Sequence, residues 1–363
     1  MPGVAERLEA KHRGGTLVSR KIEYGQDADP VEICYERGWT DGLPVTPPTD
    51  ERILAMLKGA QRRADEVVGK IPPYLGACTV EKVAINAVLA GCRPEYMPVV
   101  LAALEAALEP VFTLHGVLAT TYFSSPIVIV NGPIARRIGM NCGLNALGQG
   151  NRANATIGRA LNLIVQNVGG GRPGEADRST LGAPSKFTLC FAEDESDPEW
   201  EPLSVARGFR RGVSTVTLFQ GHGPEAWVDQ KSRTPEGLTR SAALSLVKIG
   251  HPHLVQSARA VLVLSPEHYA IYREAGWDRK KIERALYEAT IRPGREIVEG
   301  QNGVGEGVPA SRAEEMVPKF HEDGLMVVRA GGPAGLFSAI LPGWLAGRNR
   351  EELQPVTKVI RDG

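Results

Sequence analysis

Several things are scarce in this sequence, and each scarcity excludes something. The five cysteines, Cys34, Cys78, Cys92, Cys142 and Cys190, stand singly, with no CxxC pair and no zinc-ribbon spacing. That pattern offers neither a disulfide framework nor a structural zinc set, and it fits a reducing compartment. Charge of one sign is not in excess: Lys+Arg and Asp+Glu both number 42. Nucleic-acid binding needs a basic stripe, and none is present. A net charge of zero also removes one barrier to self-association, so a homo-oligomer is expected. No uncharged apolar run reaches the roughly 18 residues of a membrane span. The first residues, MPGVAERLEAKHRGG, lack the apolar core of a signal peptide. The expected location is therefore cytoplasmic, without membrane partners. The Gly/Asn-rich stretch Asn141–Arg159 is neither a Walker A nor a GxGxxG motif, and no cofactor is implied.

What is present suffices for a large fold. With 363 residues, 42% of them hydrophobic, the chain exceeds one ordinary core. Two lobes are expected, with one large α/β unit as the alternative: residues 1–124 as an arm and a mainly helical lobe, and residues 125–363 as an α/β lobe with Gly-rich strand-end loops. In the first, helices are predicted at Val31–Arg37, Asp50–Leu57, Val80–Ala90 and Met97–Leu108. Thr49 and Thr79 stand where an N-cap side chain accepts an orphan amide hydrogen. The prolines of Gly38–Thr49 forbid a helix there.

The second part reads as apolar strands alternating with helices. Ser125–Val130 is a continuous β-branched run ended by Asn131-Gly132-Pro133. Three units of strand, polar loop and helix follow, with strands at Ser214–Phe219, Ala260–Leu264 and Leu325–Arg329. The fold class is α/β, a largely parallel or mixed sheet with helices on both faces. Ligands in such folds bind at the carboxyl ends of strands, so the loops at Asn131, Gln220, Ser265 and Ala330 are expected along one edge of one sheet.

Candidate chemistry sits in those loops. Asn141, Asn145, Asn151, Asn154, Arg152 and Arg159 belong to a Gly/Asn-rich loop that opens a helix. Free amides at a helix N-terminus, with two guanidinium groups, suit a carboxylate or phosphate. Glu267 and His268 follow Ser265-Pro266 and are the usual proton carriers near neutral pH. His222, flanked by glycines, is a third. Cys142, in the amide-rich loop, is a candidate nucleophile. Gly331 and Gly332, with Ser338 downstream, read as a second amide nest. His251 and His253 bind a metal only if a third ligand arrives from elsewhere. The acidic run Glu193–Trp200 reads as a solvated loop.

Four blocks carry a family resemblance: GWTDGLPVTPPT at Gly38–Thr49, TVEKVAINAVLAGCRPEYMPVV at Thr79–Val100, NALGQGNRANATIGRA at Asn145–Ala160 and LSPEH at Leu264–His268. Together they resemble the larger members of the UGSC-motif (seleno)protein family, over about Gly38 to Lys358. The family name refers to a selenocysteine–Gly–Ser–Cys motif, which implies redox chemistry. This chain contains no Cys-Gly-Ser-Cys, so the resemblance implies a non-redox partner of a motif-bearing chain.

Two kinds of enzyme and one of binder remain open. The first is an enzyme acting on a small anionic metabolite by acid–base chemistry, of lyase or hydrolase type. The second is the non-redox subunit of a heteromeric oxidoreductase. The third is a metabolite-binding protein without turnover.

Overall fold

A computed structural model describes residues 17–345 and 353–361. The chain is α/β. It opens with helices α1 (Pro30–Glu36) and α2 (Asp50–Ala60), a hairpin of β1 (Val67–Ile71) and β2 (Gly76–Thr79), and helices α3 (Val80–Ala90), α4 (Met97–Ala107) and α5 (Leu114–Ala119). Thr49 accepts from the Arg52 amide at 3.4 Å and Thr79 from the Lys82 amide at 3.3 Å, so both threonines cap as expected. Then come β3 (Ser125–Asn131), α6 (Pro133–Arg137), α7 (Arg152–Gly169), β4 (Cys190–Ala192), α8 (Leu203–Ala206), β5 (Thr215–Gly221) and β6 (Glu225–Val228). The remainder is α9 (Pro235–Val247), β7 (Ala260–Leu264), α10 (Pro266–Glu274), α11 (Arg279–Ala289), the two-residue pair β8 (Arg292–Pro293) and β9 (Met316–Val317), β10 (Leu325–Arg329), β11 (Phe337–Pro342) and β12 (Val356–Val359). No single helix among the described residues is long and apolar enough to cross a membrane.

Two four-stranded mixed sheets form the centre, in the orders β12-β5-β3-β4 and β10-β7-β11-β6. Helices do not cover both faces of either sheet. Strand periodicity explains why: alternate residues point to opposite faces. On β3, Ile127 and Ile129 pack with Val261 and Val263 of β7 in a core between the sheets. Val128 and Val130 point the other way, into a core with α2, α3, α4 and α7. On β7, Ala260, Leu262 and Leu264 join Leu238, Tyr272 and Leu286 from the helices behind the second sheet. The layers therefore run helix, sheet, sheet, helix. The helical first part shares its core with β3, β5 and β12, so that core continues across residue 124.

The two sheets are built alike. In each, one pair is parallel (β3/β4, β7/β10) and the rest antiparallel. Gly221 and Gly343 bridge each other. Counting back from that bridge, Pro126 falls on Ala260 and Asn131 on Ser265. Ala192 then falls on Arg329. The fourth strands coincide as well: Val356 lies opposite Leu218 as Glu225 lies opposite Ile340. Yet β6, which follows β5, belongs to the second sheet, and β12, which follows β11, belongs to the first. From β3 onward the chain repeats one strand plan in two halves that exchange their last strands. No sequence repeat announces it.

Two expectations are corrected here. Asn131 pairs with Thr215, and Gln220 with Pro126, so the loops after β3 and β5 lie at opposite ends of one sheet. The loops after β7 and β10 belong to the other sheet. The unit that starts at Leu325 does not continue into a helix, because β10 leads into strand β11.

Candidate functional site

The carboxyl ends of the four parallel strands converge. The Glu193 amide donates to Val130 O at 3.0 Å, the Asp194 amide to Arg329 O at 2.7 Å, and the Ala330 amide to Leu264 O at 3.1 Å. The joint between the sheets thus gathers Asn131, the residues after β4, Arg329 and the loop after β10. The Gly/Asn loop also reaches it: the Gly331 amide donates to Cys142 O at 2.8 Å. A Cβ on Gly332 would stand 2.0 Å from the Leu144 side chain, so the two loops touch there.

Buried carboxylates organise this joint. Glu193, 4% exposed, accepts from Trp200 Nε1 at 2.8 Å and Arg279 Nη2 at 2.7 Å on one oxygen. Its other oxygen accepts from Asn131 Nδ2 at 2.6 Å and the Leu203 amide at 2.7 Å. Arg279 also donates to Glu201 O and Val327 O and stacks on Trp200. Both side chains of the pair are fully buried, and four hydrogen bonds on Glu193 satisfy it. Glu283 lies 3.6 Å from Arg279, and burial pushes its carboxyl up to about 6 despite that cation. The acidic run is therefore not simply a solvated loop: its first residue is among the most buried charges in the chain.

Beside this closed network lie open valences. Glu195 accepts from Asn131 Nδ2 at 2.8 Å and the Gly132 amide at 2.7 Å, and no cation pairs with it among the described residues. Asn131 Oδ1 and Thr215 Oγ1 are buried without partners. Arg329 is 5% exposed and meets Asp194 at 2.9 Å through Nη2, while Nε and Nη1 have no acceptor. Its guanidinium lies over the Tyr269 ring, 4.2 Å from the centroid. Together with Arg273, Asp197 and Glu199, it lines an open cavity of about 540 Å³. Cys142 is half-buried; burial and then Asp194 raise its thiol above the ordinary range.

The structure brings Asn141, Cys142, Gly331 and Gly332 to this joint and sends other candidates elsewhere. The Gly/Asn loop spends its side chains on itself. Asn141 Oδ1 accepts from the Gly143 amide at 2.9 Å, and Asn145 Nδ2 donates to Gln149 O at 2.6 Å. Asn151 caps α7 through the Asn154 amide at 3.0 Å, and Asn154 Nδ2 donates to Asn141 O at 2.8 Å. Arg152 turns to Gly91 O at 2.9 Å. Arg159 makes a two-point pair with Asp41 at 2.8 and 2.7 Å. Residues far away in sequence take the donors of Arg159 and the Nε of Arg152.

His268 is 0% exposed, with Nδ1 2.7 Å from Ser338 Oγ and Nε2 3.0 Å from Asp229 O. Burial lowers its pKa below the ordinary imidazole value. Ser338 in turn accepts from the Ser265 amide at 3.1 Å. Glu267 accepts from the Leu336 amide at 2.7 Å and holds the loop before β11. These residues pin a turn. His222 lies at the far end of β5, edge-on to Tyr122, and burial lowers its pKa. His251 Nδ1 accepts from the His253 amide at 3.1 Å, and no group of three metal-ligating side chains occurs among the described residues. All five cysteines are free.

Sequence reasoning missed Asn131 as a side chain, Glu193, Glu195 and Arg329. Position was the available signal: each stands at or just past the carboxyl end of a parallel strand. No family model, no curated protein and no solved structure matches the chain.

Proposed function

We propose that this chain is an enzyme acting on a small anionic metabolite by acid–base chemistry, of lyase or hydrolase type, at the joint between its two halves. Arg329 carries the reading. A buried guanidinium with two N–H groups lacking acceptors is costly, and an anion supplies what it lacks. Arg273 stands beside it in the same cavity. Glu195 is the proton carrier: hydrogen bonds from Asn131 and the Gly132 amide fix it at the carboxyl end of β3. Cys142, kept protonated by burial, contributes a neutral thiol and not a resting thiolate. Glu193 and Arg279 set the frame in which Asn131 presents its free Oδ1.

The test is calorimetric binding against a panel of small carboxylates and phosphate esters, with turnover followed by proton NMR. One class is expected to bind the native chain and fail with Arg329→Gln. Glu195→Gln is expected to bind that compound and not convert it. Equal binding by Arg329→Gln would overturn the assignment.

A further inference from the structure

A second cavity, of about 620 Å³, lies in the helical part of the molecule, away from the joint. That volume falls within the range of small-molecule sites, roughly 300–1,000 Å³. Its walls are mixed in a way that specifies a ligand. Ile33, Trp39, Ile53, Ile85 and Leu89 supply apolar surface. At one side stands Arg172. Its guanidinium crowds Gly38, where an added Cβ would lie 2.7 Å from Nη1. No carboxylate pairs with Arg172 among the described residues. Asn167 lies beside the same Gly38-Trp39 step: its Nδ2 donates to Trp39 O at 3.2 Å and to Asn86 Oδ1 at 2.9 Å. Its Oδ1 is buried and receives no donor.

The fourth wall is the segment from Leu17 to Tyr24. This segment is clipped down by Glu81, a carboxylate 1% exposed. Glu81 accepts from the Val18 amide at 3.0 Å and the Ser19 amide at 2.8 Å. A buried carboxylate that accepts from the backbone of a covering segment ties that segment in place.

We propose that this cavity binds an amphiphilic carboxylate of the N-acyl amino acid class. Its carboxylate pairs with Arg172, the neighbouring amide N–H donates to Asn167 Oδ1, and the acyl chain lies among Trp39, Ile53, Ile85 and Leu89. A free fatty acid would meet Arg172 and leave Asn167 unanswered; a small dicarboxylate would leave the apolar walls empty. The Leu17–Tyr24 segment covers the chain and, through Glu81, sets how fast it leaves. This site is independent of the one at the joint.

The probe is N-decanoylglycine, titrated calorimetrically into the full chain. One-to-one binding is expected. The methyl ester of the probe, which cannot form the ion pair, should bind about tenfold more weakly, as should the acid to Arg172→Gln. Ester and variant together should lose no more than either alone, because they remove the same contact. Ile85→Trp should fill the cavity and abolish binding, and decanoate should bind more weakly than the probe. Arg329→Gln should bind like the native chain. An ester that binds as tightly as the acid, undiminished binding by Ile85→Trp, or loss of binding in Arg329→Gln would each overturn the proposal. Since the ester is tested on the native chain, a misfolded variant cannot mask the result.

Discussion

The two halves end their equivalent strands, β3 and β7, in the same register and with opposite chemistry. At the end of β7, Ser265, His268 and Ser338 satisfy one another, and Glu267 fastens the loop beyond. At the equivalent end of β3, Asn131 shares its amide between Glu193 and Glu195 and leaves Oδ1 unmatched, while Arg329 arrives across the joint with donors to spare. One backbone arrangement thus supports a locked corner and an open one. Catalytic side-chain types do not distinguish them, since the locked corner holds the histidine and serine. Unmet hydrogen-bonding capacity does.

The largest effect expected from disturbing this contrast is at the frame. Glu193→Ala leaves Arg279 buried without its carboxylate and should cost about 3–5 kcal/mol in urea unfolding. The double change Glu193→Leu with Arg279→Met should recover much of that loss. A single change that proves harmless would mean the pair does not tie the halves.

Next comes the locked corner. His268→Ala leaves Ser338 and the Asp229 carbonyl without their partner and should cost about 2–3 kcal/mol, without altering ligand affinity at the joint. If His268→Ala kept its stability and lost turnover, the two corners would have been assigned the wrong way round.

Glu283 gives a pH signature. Its carboxyl, raised to about 6 by burial, binds a proton more tightly folded than unfolded. Stability from this group is therefore greatest below the unfolded value near 4.5 and falls as pH rises through 6, by about 2 kcal/mol. Unfolding free energies of the native chain and Glu283→Gln, measured at pH 4.5 and 7, should differ by that much in their pH dependence. Equal slopes would show that Arg279 keeps Glu283 ionised throughout.

The smallest stability effect belongs to Arg329. Arg329→Gln removes a paired buried cation, but also two donors that lacked acceptors, so folding should change by no more than about 1 kcal/mol. A loss as large as that of Glu193→Ala would make Arg329 part of the frame and close the open corner.

Local pattern revealed most elements and little of the joint. Ala260–Leu264 and Leu325–Arg329 were legible to the residue, because a fully buried strand is a continuous apolar run bounded by turn residues. The helices capped by Thr49 and Thr79 were legible for the same local reason. The exchanged strands Glu225–Val228 and Val356–Val359 were not, since four residues with a single buried one carry no strong period. Glu193 was mistaken for a solvated charge because its burial depends on Arg279, 86 residues away. Nothing near Arg159 in sequence announces its pair with Asp41, 118 residues away. Charge patterns in sequence record which groups exist, not which have already found each other.

Strand exchange also orders the making of the molecule. As the chain is synthesised, β3, β4 and β5 are available early, but the strand that flanks β5 lies beyond the whole second sheet. Until Val356–Val359 is made, β5 offers a bare row of amides and carbonyls to any passing strand. Long-range closure of this kind is slow. Nascent chains arrested before Val356 should therefore be cut readily by protease within the first sheet, and full-length chains should not. The tie that makes the finished halves inseparable leaves the unfinished protein a template for wrong partners during translation.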